Sequence, residues 1–264
     1  MESSEGPFLW DAASVWRCAR AFGGAVLVVF VLGVVAGVCL PGLPSHVLGA
    51  LIALNLWPTA YLAHLAPLYF LILLANTKSA LIAALIGPLG AWVNARANAD
   101  YPSAHEATYH PRGAIDRMTL ALTRVVLRVG SRVLPDLGDD RRDLAARTGA
   151  ALAAVTPFLA LGVNALVLGL WMAEALLEGW VSGLGRMGLL LLPHAPVELP
   201  ALLLASAVGL RLAEGLMPRT PDHTAAWQRS EARRLITADR VAQSLGVVVG
   251  LLAIAAALEL YGMV

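Results

Sequence analysis

His194 and Glu198 stand four residues apart in the run Leu192-Pro193-His194-Ala195-Pro196-Val197-Glu198-Leu199-Pro200, so wherever helix persists they share a face. An imidazole and a carboxylate so placed can bind an ion, relay a proton or clamp a neighbouring helix. The run interrupts an apolar stretch, Leu184 to Leu210, of the length that crosses a bilayer. An ionisable group at the centre of such a stretch costs roughly 2.5–3.5 kcal/mol on insertion scales, which makes it a functional hypothesis by default. Pro193, Pro196 and Pro200 each lack an N–H and clash with the carbonyl four residues back, so a kink or unwound turn is expected. The carbonyls of Leu189, Leu192 and Pro196 then lose their usual partners, and at membrane depth such groups must be enclosed by protein or face water.

Three further polar residues lie in other apolar runs: Asn76, Lys78 and Asn164. Pairing is the least costly arrangement, so the five residues are expected to meet at one intramembrane polar site. Lys78 opposite Glu198 would offset both charges, and Asn164 would bond the carbonyls that Pro193 or Pro196 releases. Two readings stand for this site. It is a substrate, ion or proton path or a partner-recognition cleft, or it is a structural clamp that fixes helix register.

Other chemistries find less support. Catalytic zinc needs three protein ligands and an open position. Beyond His194 and Glu198 the nearest candidates, His64 and Glu174, have no diagnostic spacing, and the chain holds no HExxH. It also holds no GxSxG, no Walker A lysine and no Rossmann fingerprint. Cys18 and Cys39 sit at opposite ends of one expected helix, roughly 30 Å apart, and cannot bridge within one chain. No metal, no cofactor and no nucleic-acid partner are expected.

The elements that position these residues follow from composition. The 264 residues are 58% hydrophobic and only 14% charged, where a soluble domain is about a quarter charged. The expected fold is all-α, an integral membrane bundle of about five transmembrane helices. Ala21–Leu40 carries no charge and is the first span, kept and not cleaved; residues 1–20 are an interfacial lead-in with Trp10, Trp16, Arg17 and Arg20. Leu65–Val93 is the second span, too long for one straight crossing, with weak points at Asn76-Thr77-Lys78 and Gly87-Pro88. Gly149–Leu177, Leu184–Leu210 and Val241–Tyr261 follow. Gly33 with Gly37, and Gly246 with Gly250, are small-xxx-small pairs suited to close helix contact. Leu48–Trp57 is too short to cross, so the segment 48–64 is expected to be re-entrant or interfacial, with Trp57, Tyr61 and Tyr69 in an aromatic belt. Residues 21–264 read as one helical membrane domain, with a cytoplasmic arginine-rich insertion at 94–147 and a cytoplasmic loop at 211–240.

Within 94–147, residues 115–134 are amphipathic. Arg117, Arg124, Arg128 and Arg132 line one side, and Met118, Leu122, Val125, Val126, Val129 and Val133 line the other. Such a helix lies on an anionic membrane face or packs on the bundle as an ordinary cytoplasmic helix. Lys78 is the sole lysine, so arginine carries the charge bias. Residues 17–20, 94–147 and 211–240 are arginine-rich, whereas 41–64 and 178–183 contain none. Five crossings with the N-terminus in the cytoplasm and the C-terminus outside put every rich segment on the cytoplasmic side of a cell membrane. Arg186, at the outer edge of the fourth span, is the exception.

Several of these elements carry a family resemblance. Leu73-Leu74-Ala75-Asn76, then Ile86-Gly87-Pro88-Leu89-Gly90, Val163-Asn164-Ala165-Leu166-Val167-Leu168-Gly169, Leu192-Pro193-His194 and Glu198-Leu199-Pro200-Ala201 resemble the stage II sporulation protein M family, over roughly Phe70–Leu210. Ala165 and Ala195 stand where that family usually has glycine, Pro196 is an added proline, and 94–147 resembles an insertion. The resemblance implies a multi-spanning helical membrane protein that acts as a scaffold in a membrane complex and not as its hydrolase. In spore formers such a complex remodels the cell wall during engulfment. The partners expected are the lipid bilayer and other membrane or envelope proteins. The alternatives are a transporter or permease subunit with Lys78 and Glu198 on its path, and an intramembrane metal-dependent hydrolase.

Overall fold

The computed structural model describes residues 8–56, 68–98, 114–134, 137, 143–179, 183, 185, 188, 193–218, 220 and 223–262. These residues are mostly helical, with no strand among them. The helices are α1 (Ala12–Cys39), α2 (Leu43–Leu56), α3 (Leu68–Leu81), α4 (Gly87–Asn98), α5 (Ala114–Val133), α6 (Leu144–Glu178), α7 (Ala195–Gly215), α8 (Ala225–Ile236) and α9 (Asp239–Gly262). Among the described residues, five stretches are long and apolar enough to cross a membrane: Ala12–Cys39, Tyr69–Ala97, Leu144–Glu178, Ala195–Gly215 and Asp239–Tyr261. That number and order are those expected from the sequence.

The second span is continuous, and its irregularity falls at only one of the two expected points. Asn76, Thr77 and Lys78 lie within regular α3, whereas Ile82–Ile86 widens into a π turn that leads directly into Gly87-Pro88. Proline has no N–H and crowds the carbonyl four residues back. The wider turn gives that carbonyl, Ala84's, the room it needs. Between α1 and α2 the chain turns at Gly42, whose φ of 84° is open to glycine without strain. At 14 residues, α2 is about 21 Å long, too short to cross. The rest of the segment expected to be re-entrant or interfacial, with Trp57, Tyr61 and His64, lies outside the described residues.

The chain divides into two compact units. The first comprises Met1–Ser14, Leu81–Phe158 and Ala205–Leu245. Its core is built largely from alanine: Ala91, Ala150, Ala151, Ala153, Ala154, Ala213 and Ala232, with Leu127, Leu134, Leu137 and Leu216. Small side chains let helix backbones approach closely, so dispersion and backbone contact replace bulky interdigitation. A Cβ added at Gly87 would lie 2.8 Å from Ala153 Cα, and one at Gly130 would lie 2.7 Å from Ala151 Cβ. Asp143 caps α6, its Oδ1 accepting the Ala146 N–H at 2.8 Å. Arg147 Nε donates to Leu137 O at 2.9 Å.

Helix α5 spans the expected amphipathic stretch but docks by a different stripe. Leu127, Gly130 and Leu134 are buried, with Val126 and Val133 packed against the core, while Val125 and Val129 are exposed beside Arg124, Arg128 and Arg132. The side chain of Arg117 lies outside the described residues. The segment 211–240 is also more than a loop. It contains α8, preceded by Thr224 in extended conformation.

The second unit comprises Val15–Ala80, Leu159–Leu204 and Gly246–Val264. Here α1 packs on the later turns of α6. A Cβ at Gly33 would meet Ala173 Cβ at 2.9 Å, one at Gly37 would strike Leu177, and one at Gly169 would meet Val29 Cβ at 2.8 Å. The first small-xxx-small pair is therefore a packing seam. The second is not: nothing lies within 4 Å of a Cβ at Gly246 or Gly250. Tyr69 Oη donates to Ala253 O at 3.3 Å and ties α3 to α9.

Candidate functional site

Pro193 and His194 form a turn, and α7 starts at Ala195. The amides of Val197 and Glu198 both donate to His194 O, at 3.0 and 2.9 Å, so His194 occupies the helix's N-cap. Pro196 falls in the first turn, where its missing N–H costs nothing, and Pro200 alone sits inside the helix. Among the described residues, the candidate span Ala195–Gly215 begins just after Pro193 and His194, and residues 189–192 before them lie outside the description.

His194 Nε2 lies 3.7 Å from Glu198 Oε2, both side chains largely buried. Glu198 sits in the first turn of α7, where the helix dipole favours a carboxylate. A third group joins them. Glu259, near the end of α9, brings its carboxylate so close that one donor atom from each of the three residues lies within 4.8 Å of the others. Sequence reasoning missed Glu259 and weighed His64 and Glu174 in its place. Glu174 instead accepts a short hydrogen bond from Ser45 Oγ, and His64 lies outside the described residues. The signal that could have found Glu259 is its solitude, as the one acid in the otherwise apolar run Val241–Tyr261.

The remaining residues of the expected polar site are placed differently. Asn164 Nδ2 donates to Ala160 O of its own helix at 2.9 Å, and Leu189 and Leu192, whose carbonyls it was expected to meet, lie outside the described residues. Asn76 and Lys78 are half-buried on α3. Among the described residues, His194 stands beside Glu198.

The first unit holds a separate feature. Between α4 and α8 lies an open groove of ≈ 770 Å³. Leu89, Trp92 and Ile236 give it apolar walls, and Arg229, Arg233 and Arg234 give it charge. Arg96 stacks over Trp92 with its guanidinium carbon 5.6 Å from the ring centroid. Arg234 Nε donates to Glu231 Oε2 at 2.9 Å. That bond holds the Glu231 carboxyl below the usual carboxylate range and raises the guanidinium. Beneath the groove Gln228 is fully buried, its Nε2 donating to Ala146 O at 2.7 Å and Leu216 O at 3.0 Å.

Five apolar crossings in an all-helical chain define a multi-pass membrane protein. Residues 144–262, a little under half of the chain, match the family model described as Stage II sporulation protein M, to which that segment is therefore similar. The matched segment includes Asn164, His194, Glu198 and Glu259; Asn76 and Gly87-Pro88, which also carried the resemblance, precede it. No curated protein and no solved structure matches the chain.

Proposed function

We propose that this stage II sporulation protein M-like chain is a non-enzymatic component of a membrane complex, and that the arginine groove receives an acidic segment of its partner. The observation that carries the reading is the groove between α4 and α8, with Arg229, Arg233 and Arg234 set against Leu89, Trp92 and Ile236. Guanidinium groups recognise carboxylates through paired N–H donors, and Trp92 supplies flat apolar area at little entropic cost. Its volume is that of a site for a compact ligand or a short segment, not of a broad flat interface. The chain sits in the cell membrane with its N-terminus and the groove on the cytoplasmic side and its C-terminus outside. The arginine content of 17–20, 94–147 and 211–240 supports that orientation.

The test is fluorescence anisotropy of a labelled glutamate-rich peptide with the full chain in neutral lipid nanodiscs. Binding is expected to weaken with salt and to fall about tenfold or more in Arg229→Glu with Arg233→Glu, since each exposed pair contributes up to about 1 kcal/mol and reversal adds repulsion. Equal binding by the variant removes the reading, as does binding to anionic vesicles with none to the peptide.

A further inference from the structure

We propose that His194, Glu198 and Glu259 form a binding site for one divalent cation of zinc's kind, where the start of α7 meets the end of α9. The donor set is one imidazole and two carboxylates. That set suits zinc and its first-row neighbours better than calcium or magnesium, which favour all-oxygen shells. Three protein ligands leave a fourth position open to water or to a group brought by a partner.

The distances are those of a site that needs little closing. Four ligands about 2.1 Å from a tetrahedral ion stand about 3.4 Å from one another. His194 Nε2 and Glu198 Oε2 are already 3.7 Å apart, and the widest separation among the three donors is 4.8 Å. The backbone beneath is fixed. His194 is held at the N-cap by two amides on its carbonyl, between Pro193 and Pro196, and α9 is anchored by buried Leu252, Ala255 and Ala256.

Two observations point to a ligand. The imidazole is positioned without being engaged: Nδ1 is buried with no hydrogen-bond partner, and Nε2 is beyond hydrogen-bond length from Glu198. The two glutamates, 61 positions apart in sequence, are brought together beside it, where their carboxylates repel each other and both are half-buried. A shared cation converts that repulsion into attraction and gives the imidazole a partner. Partial exposure of all three residues leaves a way in.

The full chain, purified in detergent and stripped with a chelator, is dialysed against Zn²⁺ and in parallel against Co²⁺. One zinc per chain is expected, and the cobalt form should show the visible absorption of a four-coordinate ion. His194→Ala and Glu259→Gln should each weaken binding by more than about 100-fold, because losing even an outer-shell partner costs 10–100-fold. Glu174→Gln, whose carboxylate bonds Ser45, should bind as the parent does. Absence of stoichiometric zinc and cobalt in the parent chain overturns the proposal whether or not the variants fold. Unweakened binding in folded His194→Ala or Glu259→Gln overturns it too. The arginine groove uses none of these residues, so either idea can fail alone.

Discussion

At the scale of single residues, Gln228 shows how an alanine-lined core tolerates a polar side chain. Its amide spans two helices, taking carbonyls from Ala146 of α6 and Leu216 just past α7, while its Oε1 has no partner and rests against Gly149. Gly149 is there because a Cβ would strike Oε1 and come within 3.1 Å of Cδ. Replacing Gln228 by Leu removes both bonds and leaves the carbonyls buried, so we expect a loss of about 1–3 kcal/mol, read as a lower midpoint on heating in detergent. Gly149→Ala should also destabilise. Combined with Gln228→Ala it should cost less than the two single changes together, because the shortened side chain makes room for the new methyl. Additive losses would show that the two residues do not press on each other.

At the scale of elements, the close approach of α7 to the π turn is the contact most sensitive to size. A Cβ on Gly209 would strike Ala83 O and lie 2.9 Å from Pro157 Cγ and 3.2 Å from Ala84 Cα. Backbone and a ring cannot swing aside as a long side chain can. Gly209→Ala should therefore cost about 1–3 kcal/mol and lower the yield of folded protein, whereas Gly162→Ala, with nothing within 4 Å of its Cβ, should be silent. Equal yields from the two would remove the contact from the account. The sequence marked this neighbourhood through Gly87-Pro88, because glycine and proline announce a backbone irregularity wherever they fall in a span. It could not mark Gly209, whose role is set by what lies opposite. The same limit explains the rest. Glu259 was visible, but its meeting with Glu198 depends on the packing of α7 and α9. Helix α8 was read as loop because its one buried face is short, Ala225, Gln228 and Ala232, and its other residues are mostly charged or polar.

At the scale of the whole molecule, the five crossings were legible because length and hydropathy alone decide them. The side chains bear this out. On α1, Leu27, Val28, Val31, Leu32, Val35 and Val38 are each at least half exposed, an apolar surface that only lipid or another membrane protein can cover. Orientation rests on a different physical quantity, the placement of arginine. In the orientation we propose, five crossings set the two termini on opposite sides, with the arginine-rich segments 94–147 and 211–240 both on the side of the N-terminus. Alkaline phosphatase, which is active only when exported, should therefore be active when fused after Tyr261 and inactive when fused within 99–113. A fluorescent protein that matures only in the cytoplasm should give the opposite pattern. The arginines make the arrangement sensitive to charge near the first span: Arg17→Glu with Arg20→Glu should mix the orientations, while Arg124→Glu, far along a helix packed on its own core, should not. If the fusion after Tyr261 is inactive in the parent chain, either a sixth crossing passes through 48–64 or the bundle is inverted. In the first case the fusion within 99–113 becomes active with the N-terminus still inside, so the two fusions read with an N-terminal tag tell them apart.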